Sequence, residues 1–282
     1  MPNHKDPVRF GIIAEIHRAA AGSPRVSWHN EMLLDRTDEL LALAIERGKS
    51  SHVDYLVLLG DLTNIADDES FSVVLSAVGD CGVPVLALPG NHDIDQHGAL
   101  ASFGDRLTAP DVSVAPAELR DTSGATIVLV AIERDAKINA LKSSGFPDLR
   151  PYNGKPLLVF SHYPLLAMHE RLSDAGLKHA GDLSDRQHIE NLLLHHDGPV
   201  VVIHGHLHVR ASAAEGNILH HSCAALVEPP HEVNIFSIDL DWQSRFVVGR
   251  EAISVQDSAA AAIPVLSPPS ESWIFEHGAW TR

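Results

Sequence analysis

The feature that most constrains this chain is a series of short apolar runs, each long enough for one buried strand and each ending in glycine or a polar cluster. Residues 8–14, 54–59, 83–88, 126–132, 157–160 and 200–204 are runs of this kind. Between and after them lie stretches with helical spacing: 30–48, where Met32, Leu33, Leu40, Leu41, Leu43, Ala44 and Ile45 precede a glycine stop, then 70–78 and 185–195. Alternating strands and helices predict a mostly parallel sheet covered on both faces, which is why the strands need no polar alternation. From 209 to 254 the rhythm changes to β-rich runs at 217–221, 233–238 and 246–248 with no helix between them. These predict antiparallel strands that complete a second sheet. The last stretch breaks the pattern with Pro264, Pro268 and Pro269, while Trp273, Phe275 and Trp280 give it apolar surface to bury. The expected organisation is one large domain over 1–255 and a C-terminal extension over 256–282, packed on the body.

Composition narrows the function. A chain of 282 residues that is 45% hydrophobic can bury a sizeable core. Its 21 Lys+Arg against 37 Asp+Glu give a formal charge of -16, which disfavours broad nucleic-acid binding and anionic membranes. No stretch is apolar over membrane-spanning length, and the first ten residues contain no apolar run of the signal-peptide kind. Two cysteines, Cys81 and Cys223, make no disulfide framework and read as ordinary small residues, so the expected location is cytoplasmic. The 19 histidines exceed what packing needs, and histidine is the commonest metal ligand.

In open α/β sheets ligands gather at the carboxyl ends of the strands, and the metal-type residues of this chain fall there. The first run ends in Glu15-Ile16-His17, the second in Gly60-Asp61, the third in Gly90-Asn91-His92-Asp93, a later one in His162-Tyr163, and another in Gly205-His206-Leu207-His208. Mixed imidazole and carboxylate donors suit zinc, manganese or iron better than calcium, which takes oxygen alone. A shared carboxylate can hold two such cations about 3.5–4 Å apart, with a water between them acidified to hydroxide. Two divalent ions would make the pocket locally cationic inside an acidic protein. Gly60, Gly90 and Gly205 are expected to form tight turns that aim the following residue into the cleft.

In this order the blocks resemble the calcineurin-like metallophosphoesterase superfamily, whose signature runs D-x-H, G-D, G-N-H-D/E, H, G-H-x-H, and the resemblance covers about residues 10–208. It implies an α/β fold: a four-layer α-β-β-α sandwich with two central mixed β-sheets. It also implies a binuclear centre of two divalent metal ions, manganese, zinc or iron, with mixed iron/manganese and iron/zinc pairs included. Carried over position by position, Glu15, His17 and His208 hold the first metal, Asp61 bridges, and Asn91, His162 and His206 hold the second. His92 matches the histidine that contacts the substrate phosphate or protonates the leaving alkoxide, and Asp93 matches a residue that orients it. Asn91, His92 and Arg18 are the candidate substrate-binding residues, a surface ion pair being the alternative for Arg18.

One position departs from the pattern. Glu15 stands where the family usually has Asp, and one extra methylene matters when ligands must be placed to about 0.2 Å. Ligation in a longer geometry is the favoured expectation, ahead of weak ligation or a role beyond the metal shell. The run Gly60-Asp61-Leu62-Thr63-Asn64 is similar to the cyclic nucleotide and glycerophosphodiesterase branch, and the G-D-x-x-D-R-G run of protein phosphatases is missing. Tyr163 and the stretch 220–223 are weaker pocket candidates. The expected activity is a metal-dependent phosphodiesterase acting on a small-molecule or nucleotide phosphodiester. The alternatives are a phosphomonoesterase or nucleotide pyrophosphatase with the same centre, and a non-catalytic metal-binding scaffold. The expected partner is the small-molecule phosphoester, with a homo-oligomer left open.

Overall fold

The computed structural model describes residues 6–24, 26–94, 100–107, 109, 111–120, 125–240, 245–256 and 265–282. The first half alternates as the apolar runs require. β1 (Val8–Ile13), α1 (Thr37–Ser50), β2 (Tyr55–Leu59), α2 (Asp68–Gly79), β3 (Val85–Leu88), α3 (Leu100–Arg106) and β4 (Val112–Val114) follow in order, and the four strands pair in parallel. α1 is shorter at its start than its spacing predicts. Leu34–Arg36 form a single 3-10 turn and α1 runs through Gly48 to Ser50. The segment before it folds back on itself, Met32 donating its amide to the Val26 carbonyl at 3.0 Å. At the start of α2, the Asp67 carboxylate accepts the Ser70 amide at 2.8 Å, satisfying one of the donors a helix N-terminus leaves free.

The second half continues with β5 (Ala117–Arg120), β6 (Thr126–Asp135), β7 (Ala140–Ser144), β8 (Leu157–Ser161), α4 (His169–Asp174), α5 (Arg186–Leu194), β9 (Val200–His204), β10 (Ala211–Glu215) and β11 (Ile218–Ser222). Parallel β6, β8, β9 and β11 form the centre of a second sheet, with antiparallel β5, β7 and β10 beside them. The late strands β12 (Glu232–Leu240) and β13 (Phe246–Ser254) were expected in this sheet, and the structure corrects that: β12 pairs antiparallel with β1. The two sheets run β15-β14-β13-β12-β1-β2-β3-β4 and β10-β11-β9-β8-β6-β5, with β7 on β6. Here β14 (Ser270–Glu276) and β15 (Ala279–Thr281) come from the C-terminal stretch, which therefore extends the first sheet as strands. The part of that stretch over 257–264 lies outside the described residues.

Two mixed sheets with helices outside them make the α-β-β-α sandwich. Between the sheets, Phe10, Ile12, Val57, Leu129, Phe160, Ile203, Phe236 and Trp273 form one continuous apolar layer. Phe10 meets Phe160 across it with ring centroids 5.6 Å apart. The outer face of the first sheet packs Ile13, Leu58 and Ile235 against α1 and α2, and that of the second packs Val159 and Val202 against α5. Each large side chain so buried contributes roughly 1.5–3 kcal/mol, and together they fix the strand ends that carry the polar residues.

Candidate metal centre

Four loops converge at the carboxyl ends of β1, β2, β8 and β9, with the turn after β3 beside them. Their residues do not leave the strands in extended conformation. Glu15, His17, Asp61, His206 and His208 all have left-handed backbones, with φ of 56°, 45°, 49°, 63° and 57°. This conformation is uncommon for residues with a Cβ and clusters at functional sites. Backbone bonds hold it: the His17 amide donates to the Asp61 carbonyl at 2.8 Å, the Arg18 amide to the Leu62 carbonyl at 3.0 Å, and the Asn64 amide to the Arg18 carbonyl at 2.9 Å.

The turn role expected of three glycines holds in its backbone sense for Gly60 alone, which has a φ of +90°. Gly90 and Gly205 are required by close approach. A Cβ on Gly90 would sit 2.0 Å from Asp61 Oδ1, and one on Gly205 would sit 2.4 Å from Glu15 Oε1. The two buried carboxylates thus occupy the space that any other residue would fill.

Three sets of donor atoms lie within 4.8 Å of one another: Glu15, His17 and His208; His17, Asp61 and His92; Asp61, His162 and His206. Glu15 Oε2 is 3.2 Å from His17 Nε2 and 3.1 Å from His208 Nε2. Asp61 lies 3.5 Å from His17 Nε2 through one oxygen and 3.5 Å from His162 Nε2 through the other. Asn91 Oδ1 is 3.2 Å from His162 Nε2 and accepts the Tyr163 hydroxyl at 3.3 Å. The extra methylene of Glu15 has a use here: its second oxygen, Oε1, accepts the amide of His206, so one side chain ties the first loop to the last.

The donors fit a pair of divalent cations. Metal-ligating imidazoles usually have their other nitrogen held by a hydrogen bond, and two here do so clearly, whereas His17 Nδ1 has no partner among the described residues. His162 Nδ1–H donates to the Leu59 carbonyl at 3.1 Å, and His208 Nδ1–H to Glu228 Oε2 at 2.7 Å. Among the described residues, every ionic partner of Glu15 and Asp61 is a histidine. Burial raises the Glu15 carboxyl, but His162 and His208 outweigh it and hold the group well below the usual range. Burial acts the same way on Asp61, which His162 brings down to about 2 against the repulsion of Glu15. Conversely, burial lowers His162 and His208, yet the carboxylates Asp61 and Glu15 raise His162 to about 9, and Glu15 with Glu228 raises His208 to about 10. Two buried anions thus draw positive charge onto the imidazoles around them, a demand that divalent cations meet directly.

Two expected roles are corrected. Asp93 does not reach the His92 ring. Its carboxylate accepts the backbone amides of Gly90, Leu62 and Thr63 at 2.9, 3.0 and 2.8 Å, plus the Thr63 hydroxyl at 3.1 Å. Burial, followed by the charge of Asp61, pushes it up to about 7. His92 is instead held by the Asn64 carbonyl, 2.8 Å from Nδ1, while its own amide donates to Asp61 Oδ1 at 2.8 Å. Asp93 therefore positions His92 at one remove, by fixing the turn that carries Asp61 and Asn64. Arg18, expected near substrate phosphate, is buried and turned toward α1 and α2. It lies 3.4 Å from Asp38 and 3.1 Å from Glu69, with a further bond to the Ser70 hydroxyl at 3.3 Å.

A cavity of about 320 Å³ opens onto the centre, lined by His17, Asp61, Asn91, His92, His206 and His208 on the ligand side. Tyr163 joins its wall and stacks on His206 with centroids 3.7 Å apart. The stretch 220–223 is wholly buried in and just after β11 and does not line it. Cys223 is inert by burial, its thiol pushed up to about 12. Glu228 escaped the sequence reading altogether: it follows no strand-end glycine, and only the fold brings it to His208 and to the amide of Asn30.

The family model for calcineurin-like phosphoesterases matches residues 8–210. A comparison with curated protein sequences finds no match. Among solved structures, a dimetal phosphatase from Danio rerio is 15% identical with a TM-score of 0.68, covering 90% of this chain and 98% of that one. A purple acid phosphatase from yellow lupin (Lupinus luteus) seeds is 12% identical with a TM-score of 0.58, over 96% of this chain and 54% of that one. A 5'-nucleotidase precursor from Thermus thermophilus is 13% identical with a TM-score of 0.50, over 88% of this chain and 54% of that one. At these identities the likeness is one of fold. No helix among the described residues is long and apolar enough to cross a membrane.

Proposed function

The chain belongs to the calcineurin-like phosphoesterase family, and from that premise we propose that it is a binuclear metal-dependent phosphodiesterase acting on a small-molecule or nucleotide phosphodiester. The observation that carries the reading is Asp61, which lies 3.5 Å from His17 Nε2 through one oxygen and 3.5 Å from His162 Nε2 through the other, between the two donor groups. Glu15, His17 and His208 would hold one cation, Asn91, His162 and His206 the other, and Asp61 both. When bound, the ions would supply an acidified water and positive charge for the phosphoryl oxygens.

The chain's own groups do the rest. His92 gives Nδ1–H to the Asn64 carbonyl, so in the imidazolium form its Nε2–H can donate to a phosphoryl oxygen or pass that proton to the leaving oxygen, leaving the ring neutral. Asn91 is oriented by the Tyr163 hydroxyl. No lysine or arginine lines the cavity among the described residues, so a singly charged diester asks less of this pocket than a dianionic monoester does.

The test is hydrolysis of bis(p-nitrophenyl) phosphate against p-nitrophenyl phosphate by protein stripped of metal and reloaded with manganese, zinc or iron. Diester preference is expected. Monoester preference would reassign the chain as a phosphomonoesterase, and inactivity on both with two metals bound would favour a non-catalytic scaffold. His92→Ala is expected to lower turnover about 10²-fold or more at unchanged metal content.

A further inference from the structure

The cavity has a second wall, and its chemistry differs from the first. Val26, Trp28 and Met32 line it, with Ser27 between them, and none carries a charge. They come from the segment between β1 and α1, which is pinned to the metal-bearing loops. The Asn30 amide donates to Glu228, His29 Nε2–H to the Leu207 carbonyl at 3.1 Å, and the Leu33 amide to the Val227 carbonyl at 2.8 Å. Trp28 is held from outside as well. Lys178 donates Nζ to its carbonyl at 2.7 Å and sits 5.0 Å from the centre of its ring. Ala19, Met32, Leu34 and Val227 form the apolar cluster against which the indole packs.

An ordered aromatic side chain in a pocket wall binds planar groups at small entropic cost, because little freedom is left to lose. Among the described residues no charged side chain lines this wall, so it offers no ion pair to a second phosphate or a carboxylate. At about 320 Å³ the cavity is at the small end for ligand sites, with room for one phosphoryl group and one ring system.

We propose that Trp28, flanked by Val26 and Met32, is the specificity wall of this site, and that it selects phosphoesters bearing one planar aromatic group, an aryl ring or a nucleobase. This rests on the phosphoesterase reading above. Contact with an aromatic side chain strengthens binding of a planar ring by roughly tenfold to hundredfold. A hydroxylated group such as glycerol gains no such contact.

Non-hydrolysable phosphonates separate this inference from the catalytic one. Binding of phenylphosphonate, methylphosphonate and a nucleoside 5'-phosphonate to the manganese-loaded full chain is measured by calorimetry, alongside turnover of bis(p-nitrophenyl) phosphate. The wild type is expected to bind the phenyl compound roughly tenfold to hundredfold more tightly than the methyl compound. Trp28→Phe should keep most of that preference, and Trp28→Ala should lose it. Tighter binding of the nucleoside compound than of the phenyl compound identifies the base as the natural ring, and the reverse order identifies a simple aryl group. Equal affinities for phenyl and methyl compounds in the wild type would overturn the proposal whether or not any variant folds, as would a preference that survives in Trp28→Ala. Turnover with no aryl preference sinks this inference alone, whereas aryl preference without turnover sinks only the phosphodiesterase reading.

Discussion

Glu15 and Asp61 at the strand ends and Glu232 and Glu271 inside β12 and β14 are all nearly inaccessible to solvent, yet the two pairs live in opposite surroundings. Glu271 lies 2.8 Å from Arg250 and 3.0 Å from Arg282, and Glu232 pairs with Arg210. Arg250 also donates to the Ser267 hydroxyl at 2.9 Å and the Pro268 carbonyl at 2.6 Å, and Arg210 to the Ser267 carbonyl at 3.1 Å. Three arginines and two glutamates form a network that ties β12, β13 and β14 to the segment leading into β14. Among the described residues Glu15 and Asp61 have only imidazoles as ionic partners, on a backbone bent into the left-handed region. A buried charge must be compensated. One cluster is compensated by the protein itself, and the other is left in need of cations. That contrast distinguishes a structural staple from a site.

The largest expected break in the comparison is Asp61→Ala. It should abolish turnover by more than about 10³-fold, since both donor sets lose a member, and metal analysis should find fewer than two ions per chain. Retention of both metals would show that Asp61 is not shared. Glu271→Ala is the matching test on the other side. Removing one partner of a buried pair typically costs about 3–5 kcal/mol, read from urea unfolding, with metal content unchanged. Replacing both partners, Arg250→Met with Glu271→Leu, should recover most of that loss. The same pair predicts a pH response. Burial opposes the charge of Glu271, but bonds from His221 and Ser212 together with Arg250 bring its carboxyl down to about 2. Its contribution is therefore present above the ordinary carboxylate range, about 4.3, and is lost as the pH falls from there through about 2. Between those limits the wild type should lose stability more steeply than Glu271→Ala.

Smaller effects sharpen the picture within the centre. Glu228→Gln weakens the hydrogen bond that orients His208, and loss of such a partner costs roughly 10- to 100-fold in metal affinity, measurable by competition with a chelating dye. Glu15→Asp cannot both approach His17 and His208 and accept the His206 amide, so the first metal should bind about tenfold more weakly at the low end of the same range. Unchanged affinity would mean that the contact between Glu15 and the His206 amide is dispensable.

The convergence of the candidate ligands was legible because each lies at or next to the end of an apolar run, most of them marked by a glycine, where strand direction decides that the residues meet. What was not legible depends on neighbours that the local pattern does not name. Nothing in the runs at 233–238 and 246–248 says that they pair with β1 rather than β11, since an apolar strand suits either sheet. β14 was hidden behind Pro268 and Pro269, which read locally as the mark of an extension, although its Trp273 packs in the layer between the sheets. Asp93 was assigned its role by its match to the family signature and Arg18 by its adjacency to His17, but side-chain direction depends on backbone angles that neither a signature nor spacing carries. Glu228 and the five members of the charged network find their partners across gaps in sequence, and only the assembled sheets bring them together.

The left-handed residues have a consequence for how this fold can be altered. Five of the seven candidate ligands, Glu15, His17, Asp61, His206 and His208, hold a conformation that glycine adopts freely, and residues with a Cβ forgo about 1–3 kcal/mol each to do so. Thermal selection applied without selection for turnover should therefore drift toward glycine at these positions. The most heat-resistant descendants of this chain would then be those that had forgotten their chemistry.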